Sequence, residues 1–174
     1  MSLSEAVAIP KVIADKVRSL SADLESYVVE KLLHELKLDP NDEARVHFEL
    51  AEKYFREGSE LVDKDSAQAS EKLYKAAEEV VKALAYNLGL TEVLGRDRER
   101  GRWTVTDLEV VAREAARRID EEIYIGWDRA NYLHVWGFHE GKLDKEAVKE
   151  RLPYIERMIK ILREASQKRP PGNP

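Results

Sequence analysis

Apolar residues recur along this chain at three- and four-residue intervals, the period of helices that turn one face to a core. Ala44, Phe48, Ala51, Phe55, Gly58 and Val62 mark one helix over residues 44–62. Asp39-Pro40-Asn41 stops the segment before it and restarts the chain, with Asn41 or Asp42 as N-cap. A second helix runs from Ser66 to Leu88 on the stripe Leu73, Ala76, Ala77, Val80, Leu84 and Leu88. Its adjacent alanines let a neighbouring helix come close. The period breaks over residues 89–104, which reads as an exposed loop. Thr106-Asp107-Leu108-Glu109 then fits a capping box, with Thr106 as N-cap and Glu109 three residues on. From there Leu108, Ala112, Ala115, Ile119, Ile123, Gly126, Ala130 and Leu133 keep one face as far as Gly137, predicting one long helix. A closing helical region follows Asp144, with Val148, Leu152, Ile155, Ile159 and Leu162 inward and Pro153 kinking or restarting it. The expected fold is all-α, an antiparallel up-and-down helical bundle over residues 39–167.

Residues 1–38 read as a separable helical arm that packs or dimerises: a short extended piece at Ala6 to Pro10, then helices near 11–19 and 22–37. That order resembles a ribbon-helix-helix module. A DNA-reading strand needs basic or amide side chains facing the groove, however, and Ala6 to Ile9 supplies none, so no sequence-specific DNA binding is expected. Residues 168–174 read as a frayed, flexible tail.

Composition narrows the picture. A length of 174 residues fits one domain able to bury a sizeable core. Cysteine is absent, so neither disulfides nor a thiolate metal site is expected. No apolar run reaches membrane-spanning length and no signal peptide opens the chain, which predicts a cytoplasmic protein with no membrane partner. Charged residues of both signs make up 36% of the chain, with few labile amides, a composition of thermophile type. A net charge of -5 excludes general nucleic-acid coating but leaves room for a local basic site.

The densest candidate chemistry is Arg129-Ala130-Asn131-Tyr132-Leu133-His134. Arginine is always charged and grips two phosphate oxygens; histidine exchanges a proton near neutral pH. Five steps of about 100° set these two side chains roughly 140° apart on an ideal helix, so they flank the apolar stripe rather than share a face. Bringing them together requires either a two-fold partner on that stripe or local unwinding near Gly137. The alternative is that they bracket a helix–helix contact, with Arg129 paired to Asp128 or Glu122.

Other features surround the pair. Tyr124, Trp127, Tyr132, Trp136 and Phe138 crowd the same segment, as stacking platforms for bases or as packing. His139 either assists His134 or caps the helix end. With Glu140 it lacks further ligands at metal-binding spacing, so no metal is expected. Arg96, Arg98, Arg100 and Arg102, with two acids between them, either grip phosphates or form a solvated ion network. Arg113 and Arg117 either extend that patch or pair with Glu109 and Glu114. His34 and His47 read as partly buried structural residues. Gly58-Ser59 with Asp63 and Asp65 superficially matches a nucleotidyltransferase signature, but these residues lie on or just after a helix and the two acids stand too close together.

The stretch Gln68-Ala69-Ser70-Glu71-Lys72-Leu73-Tyr74-Lys75-Ala76-Ala77-Glu78-Glu79-Val80-Val81-Lys82-Ala83-Leu84-Ala85 resembles the archaeal PaREP family, which is similar to the wider HEPN superfamily of small helical bundles. The likeness spans about residues 41–165. It implies a homodimeric bundle. Many members of the superfamily are metal-independent ribonucleases; others are binding or assembly partners, some beside minimal nucleotidyltransferases. In active members an Arg and a His face a cleft between subunits, and by position these are Arg129 and His134. The residue after the Arg is often polar in such members; here it is Ala130, with Asn131 one place on. The resemblance thus implies a cofactor-free homodimer acting on or binding RNA or nucleotides. His134 is the general acid–base, Arg129 the phosphate anchor and Asn131 a secondary contact, with Arg96, Arg98, Arg100, Arg102, Trp136 and His139 at the RNA. The alternative is a non-catalytic interaction module, such as the partner of a nucleotidyltransferase-type protein.

Overall fold

A computed structural model describes residues 6–20 and 23–167; the expected tail at 168–174 lies outside them. The fold is an all-α helical bundle. The helices are α1 (Lys11–Leu20), α2 (Leu24–Leu36), α3 (Pro40–Leu61), α4 (Ser66–Asn87), α5 (Thr91–Arg100), α6 (Val105–Arg118), α7 (Glu122–Tyr132), α8 (Lys145–Lys149) and α9 (Leu152–Gln167). A π-helical turn, Leu133–His139, continues α7 directly. Among the described residues there is no strand, and no helix is long and apolar enough to cross a membrane.

α4 is the central element. Ala69, Leu73, Ala76, Ala77, Val80, Val81, Ala83, Leu84 and Ala85 are all fully buried, because α3, α6, α7, α9 and the π turn surround it. Its alanines leave room for those neighbours, and Gly58 of α3 has Leu73 where a Cβ would stand. α7 and α9 meet as closely: a Cβ on Gly126 would lie 2.5 Å from the Met158 side chain.

Several boundaries differ from the sequence reading, each for a local reason. The N-cap of α3 is Asp39, not Asn41 or Asp42; its carboxylate accepts from both of their N–H groups, and Pro40 takes the first turn, where a missing N–H costs nothing. Residues 91–100, expected as loop, form α5, which buries Val93 and Leu94 and ends at Gly101 with φ of 66°. The cap of α6 is Thr104, not Thr106, and the residue three on is Asp107: the Thr104 hydroxyl accepts from the Asp107 N–H at 3.2 Å and donates to the Asp107 carboxylate at 2.6 Å. The long helix expected to Gly137 is broken after Arg118, and Ile119 is left exposed. Pro153 does restart the chain, as the second residue of α9.

The N-terminal arm is attached by charge. No residue of α2 is buried. Instead Glu25 pairs with Lys53, Asp23 with Lys75 at 2.5 Å, and Glu30 with Lys82 at 2.5 Å, while Ser26 meets the Tyr54 hydroxyl at 3.0 Å.

Candidate functional site

The site is made by the π turn. Its backbone closes over five residues rather than four, Glu140 N–H donating to the Val135 carbonyl at 2.9 Å. Gly137 allows this, since a Cβ there would stand 2.6 Å from the Ser70 Cβ and closer still to its hydroxyl. The turn therefore presses directly on α4, and His134 arrives against the α4 residues Glu71 and Tyr74.

His134 Nδ1 lies 2.8 Å from Glu71 Oε2, and its ring stacks on Tyr74 with centroids 4.1 Å apart. On the other side, His134 Nε2 is 3.1 Å from His139 Nε2. The wider turn is what brings residues five apart together; on an α-helix they would diverge. With Glu71 ionised, Nδ1 of His134 carries its hydrogen and Nε2 offers a lone pair, so His139 donates. Protonating His134 reverses the direction of that last bond. The chain Glu71–His134–His139 thus leads from a part-buried carboxylate to an exposed imidazole and can pass a proton outward. Burial, with Glu78 and Glu71 nearby, pushes the Tyr74 hydroxyl above its ordinary range, so it remains a neutral wall.

Arg129 does not join this chain. Its guanidinium lies 5.3 Å over the Tyr154 ring on the outer face of α7. The carboxylate pairing of the alternative reading is absent: Glu122 binds Arg157 instead, and no described carboxylate lies within ion-pair reach of Arg129. Around Arg129, Ile125, Tyr132, Trp136 and Tyr154 are all exposed, Trp136 at 45%. Ala130 is fully buried. The Asn131 amide donates to the Trp127 carbonyl of its own helix at 2.9 Å. Trp127 is itself buried and donates from its indole nitrogen to Glu109 at 2.9 Å.

The α5 arginines attach to other elements. Arg96 (3.0 Å) and Arg100 converge on the buried Asp107 of α6, whose carboxyl they hold below the usual range with Thr104, against the opposing effect of burial. Arg98 approaches Glu43 of α3 at 3.9 Å, and Arg102 is exposed. Arg113 and Arg117 pair with Glu109 (3.6 Å) and Glu114 (3.0 Å).

One further cluster escaped the sequence reading. His47 is buried, with Nδ1 2.6 Å from Glu79 Oε2, whereas His34 is exposed rather than partly buried. Burial alone would raise the Glu79 carboxyl; Lys82 and His47 outweigh it and hold it low. Glu30, His47 and Glu79 place one ligand atom each within 4.8 Å of one another, a spacing that suits a metal. The Lys82 ammonium already binds Glu79 at 2.9 Å and Glu30, so a metal would have to displace it. Glu71, Glu79 and Lys82 all sit in the recognisable stretch of α4, but their partners lie on other elements, beyond the reach of any local pattern.

The comparisons with known proteins fall on the same region. A crystal structure of a protein from Sulfolobus solfataricus is 34% identical, with a TM-score of 0.62, covering 67% of this chain and 95% of that one. A solution structure of the same target, the Orf c02003 protein, is 33% identical with a TM-score of 0.60, over 70% and 94% of the two chains. No curated protein matches. The family model described as the archaeal PaREP1/PaREP8 family matches residues 46–159, from α3 into α9 and across Glu71, His134 and His139. By that match the chain belongs to the archaeal PaREP1/PaREP8 family.

Proposed function

We propose that this protein is a homodimeric, metal-independent endoribonuclease of HEPN-like type, with Glu71–His134–His139 as its acid–base chain. The observation that carries this reading is the carboxylate-oriented His134 with a second imidazole 3.1 Å beyond it. Metal-free RNA cleavage needs a base to take the ribose 2′-hydroxyl proton. It also needs an acid to protonate the departing 5′-oxygen as the 2′-oxygen bonds to phosphorus. Two histidines supply both. Glu71 fixes the tautomer of His134 and stabilises its protonated form, as the carboxylate of a catalytic triad does.

Positive charge on the phosphate is the third requirement. Arg129 lies on the outer face of α7, so the reading assigns it to the opposite subunit's site, across a two-fold contact through the exposed Ile125, Tyr132, Trp136 and Tyr154. The test is cleavage of mixed RNA in chelator. His134→Ala should lower the rate by about 10²-fold or more. Arg129→Ala and His134→Ala proteins, each inactive alone, should regain part of the activity when mixed, because each heterodimer restores one complete site. Cleavage indifferent to His134→Ala overturns the assignment. A second reading, a non-catalytic assembly module that pairs with a nucleotidyltransferase-type protein, draws on the same exposed aromatic face. It gains if the chain dimerises or captures such a partner and cleaves nothing.

A further inference from the structure

Under α2 lies a second cavity, of about 460 Å³, walled by α2, α3, α4 and α5 and containing none of Glu71, His134 or His139. Its volume is in the range of small-molecule sites. Leu33 and Leu38 give it an apolar wall, and Tyr86, stacked on His47 at 5.7 Å, gives it a flat one.

The polar groups of this cavity are unbalanced. Glu43 is 4% exposed; the Tyr86 hydroxyl hydrogen-bonds to its carboxylate, but among the described residues the buried Oε2 accepts no hydrogen bond. The nearest cation, Arg98, stops at 3.9 Å, beyond hydrogen-bond reach, and its side chain is 60% exposed. Asp97 also lines the cavity and makes no side-chain ion pair or hydrogen bond among the described residues; burial and the neighbouring Glu30 push its carboxyl up to about 6. Elsewhere the buried acids are matched: Glu79 has Lys82 and His47, and Asp107 has Arg96 and Arg100. A buried carboxylate short of donors is costly, and the cost persists only where something else is served or supplied.

The missing component is a positively charged donor. A single metal ion fits poorly. Among the described residues the one three-ligand set compact enough for an ion is Glu30, His47 and Glu79; Lys82 occupies it, and neither Glu43 nor Asp97 belongs to it. The Tyr86 hydroxyl, raised by burial and by Glu43, stays protonated and brings no further negative charge. We propose that this cavity binds a small organic cation, an amine or guanidinium, whose N–H groups donate to Glu43 and Asp97 while its carbon body lies against Leu33, Leu38 and Tyr86.

The test uses the full chain, titrated calorimetrically at pH 7.5 with agmatine and with benzylamine, with magnesium chloride at matched ionic strength alongside. Saturable binding of at least one amine is expected, together with a rise in melting temperature. Asp97→Asn and Glu43→Gln should each weaken binding by tenfold or more. If Glu43→Gln does not fold, Leu33→Trp, which fills the cavity from its apolar wall, serves in its place and should abolish binding. Asp97→Asn should leave RNA cleavage unchanged, which separates this proposal from that of the preceding section. Absence of saturable binding by both amines up to millimolar concentration overturns the proposal. So does binding that survives the substitutions, or an effect that magnesium alone reproduces.

Discussion

Glu79 shows how much one side chain carries here. It is fully enclosed and holds His47 and Lys82 together, and its carboxyl lies below the ordinary value because those two partners outweigh burial. Lys82 keeps Glu30 and Glu78 when Glu79 is neutralised, so Glu79→Gln should cost roughly 1–3 kcal/mol in denaturant unfolding, chiefly through the weakened buried bond to His47. The depressed carboxyl also sets a direction with pH. Its stabilisation is present above its unfolded value of 4.5 and is lost as acid protonates it. Asp97 works the other way. Burial and Glu30 raise it to about 6 against the pull of Lys82, His47 and Arg100, so its contribution is favourable below 3.8 and lost as pH rises through 6. Asp97→Asn should therefore raise the melting temperature at pH 7.5 and leave it unchanged near pH 3.5; a gain of equal size at both values would contradict this. Legibility at this scale was uneven. Arg129, His134 and His139 could be nominated because they are neighbours in sequence. Glu71 could not, because 63 positions separate it from His134 and nothing local marks the pairing.

At the scale of elements, the π turn converts a helical segment into a site. The sequence pattern extended α7 straight through it, because Leu133 and Gly137 keep the apolar rhythm and are indeed buried. A period carries no information about one residue of extra width in a turn; that width appears only when Gly137 is set against Ser70. Gly137→Ala should therefore do two things. It should destabilise the fold by about 1–3 kcal/mol through overpacking. It should also move the turn off α4, separating His134 from Glu71, so that the proposed RNA cleavage falls further than the loss of folded protein accounts for. Paired stability and rate measurements separate the two effects. α5 was missed for the opposite reason. Charge covers most of its surface, and only Val93 and Leu94 signal an inward side. Its helix is held by pairs across the bend into α6, Arg96 and Arg100 on Asp107, that helical periodicity does not register. The sequence pattern puts the cap of α6 at Thr106; the arginines favour Thr104, the frame that buries Asp107.

For the molecule as a whole, the bundle over α3 to α9 was the most legible part, since amphipathic stripes state which faces meet. They do not state what covers a face left outside. Ile125, Tyr132, Trp136 and Tyr154 form such a face, and on the proposed homodimer Trp136→Glu combined with Tyr132→Glu should shift the mass in light scattering from dimer to monomer while the circular dichroism spectrum persists. The arm raises a different matter. α2 buries no residue completely; Val29 packs on the core, and Glu25, Asp23 and Glu30 attach to three lysines, so its release uncovers partly buried side chains and breaks three ion pairs without opening the bundle. Opening of that kind costs far less than global unfolding and happens as a unit. In hydrogen exchange, the amides of α2 should trade protons ahead of those of α4, and molar salt should widen the gap by screening the pairs. Because α2 supplies Glu30, Leu33 and His34 to the cavity wall, each such opening also takes that wall apart, so an occupant of the cavity would slow the exchange of α2 amides.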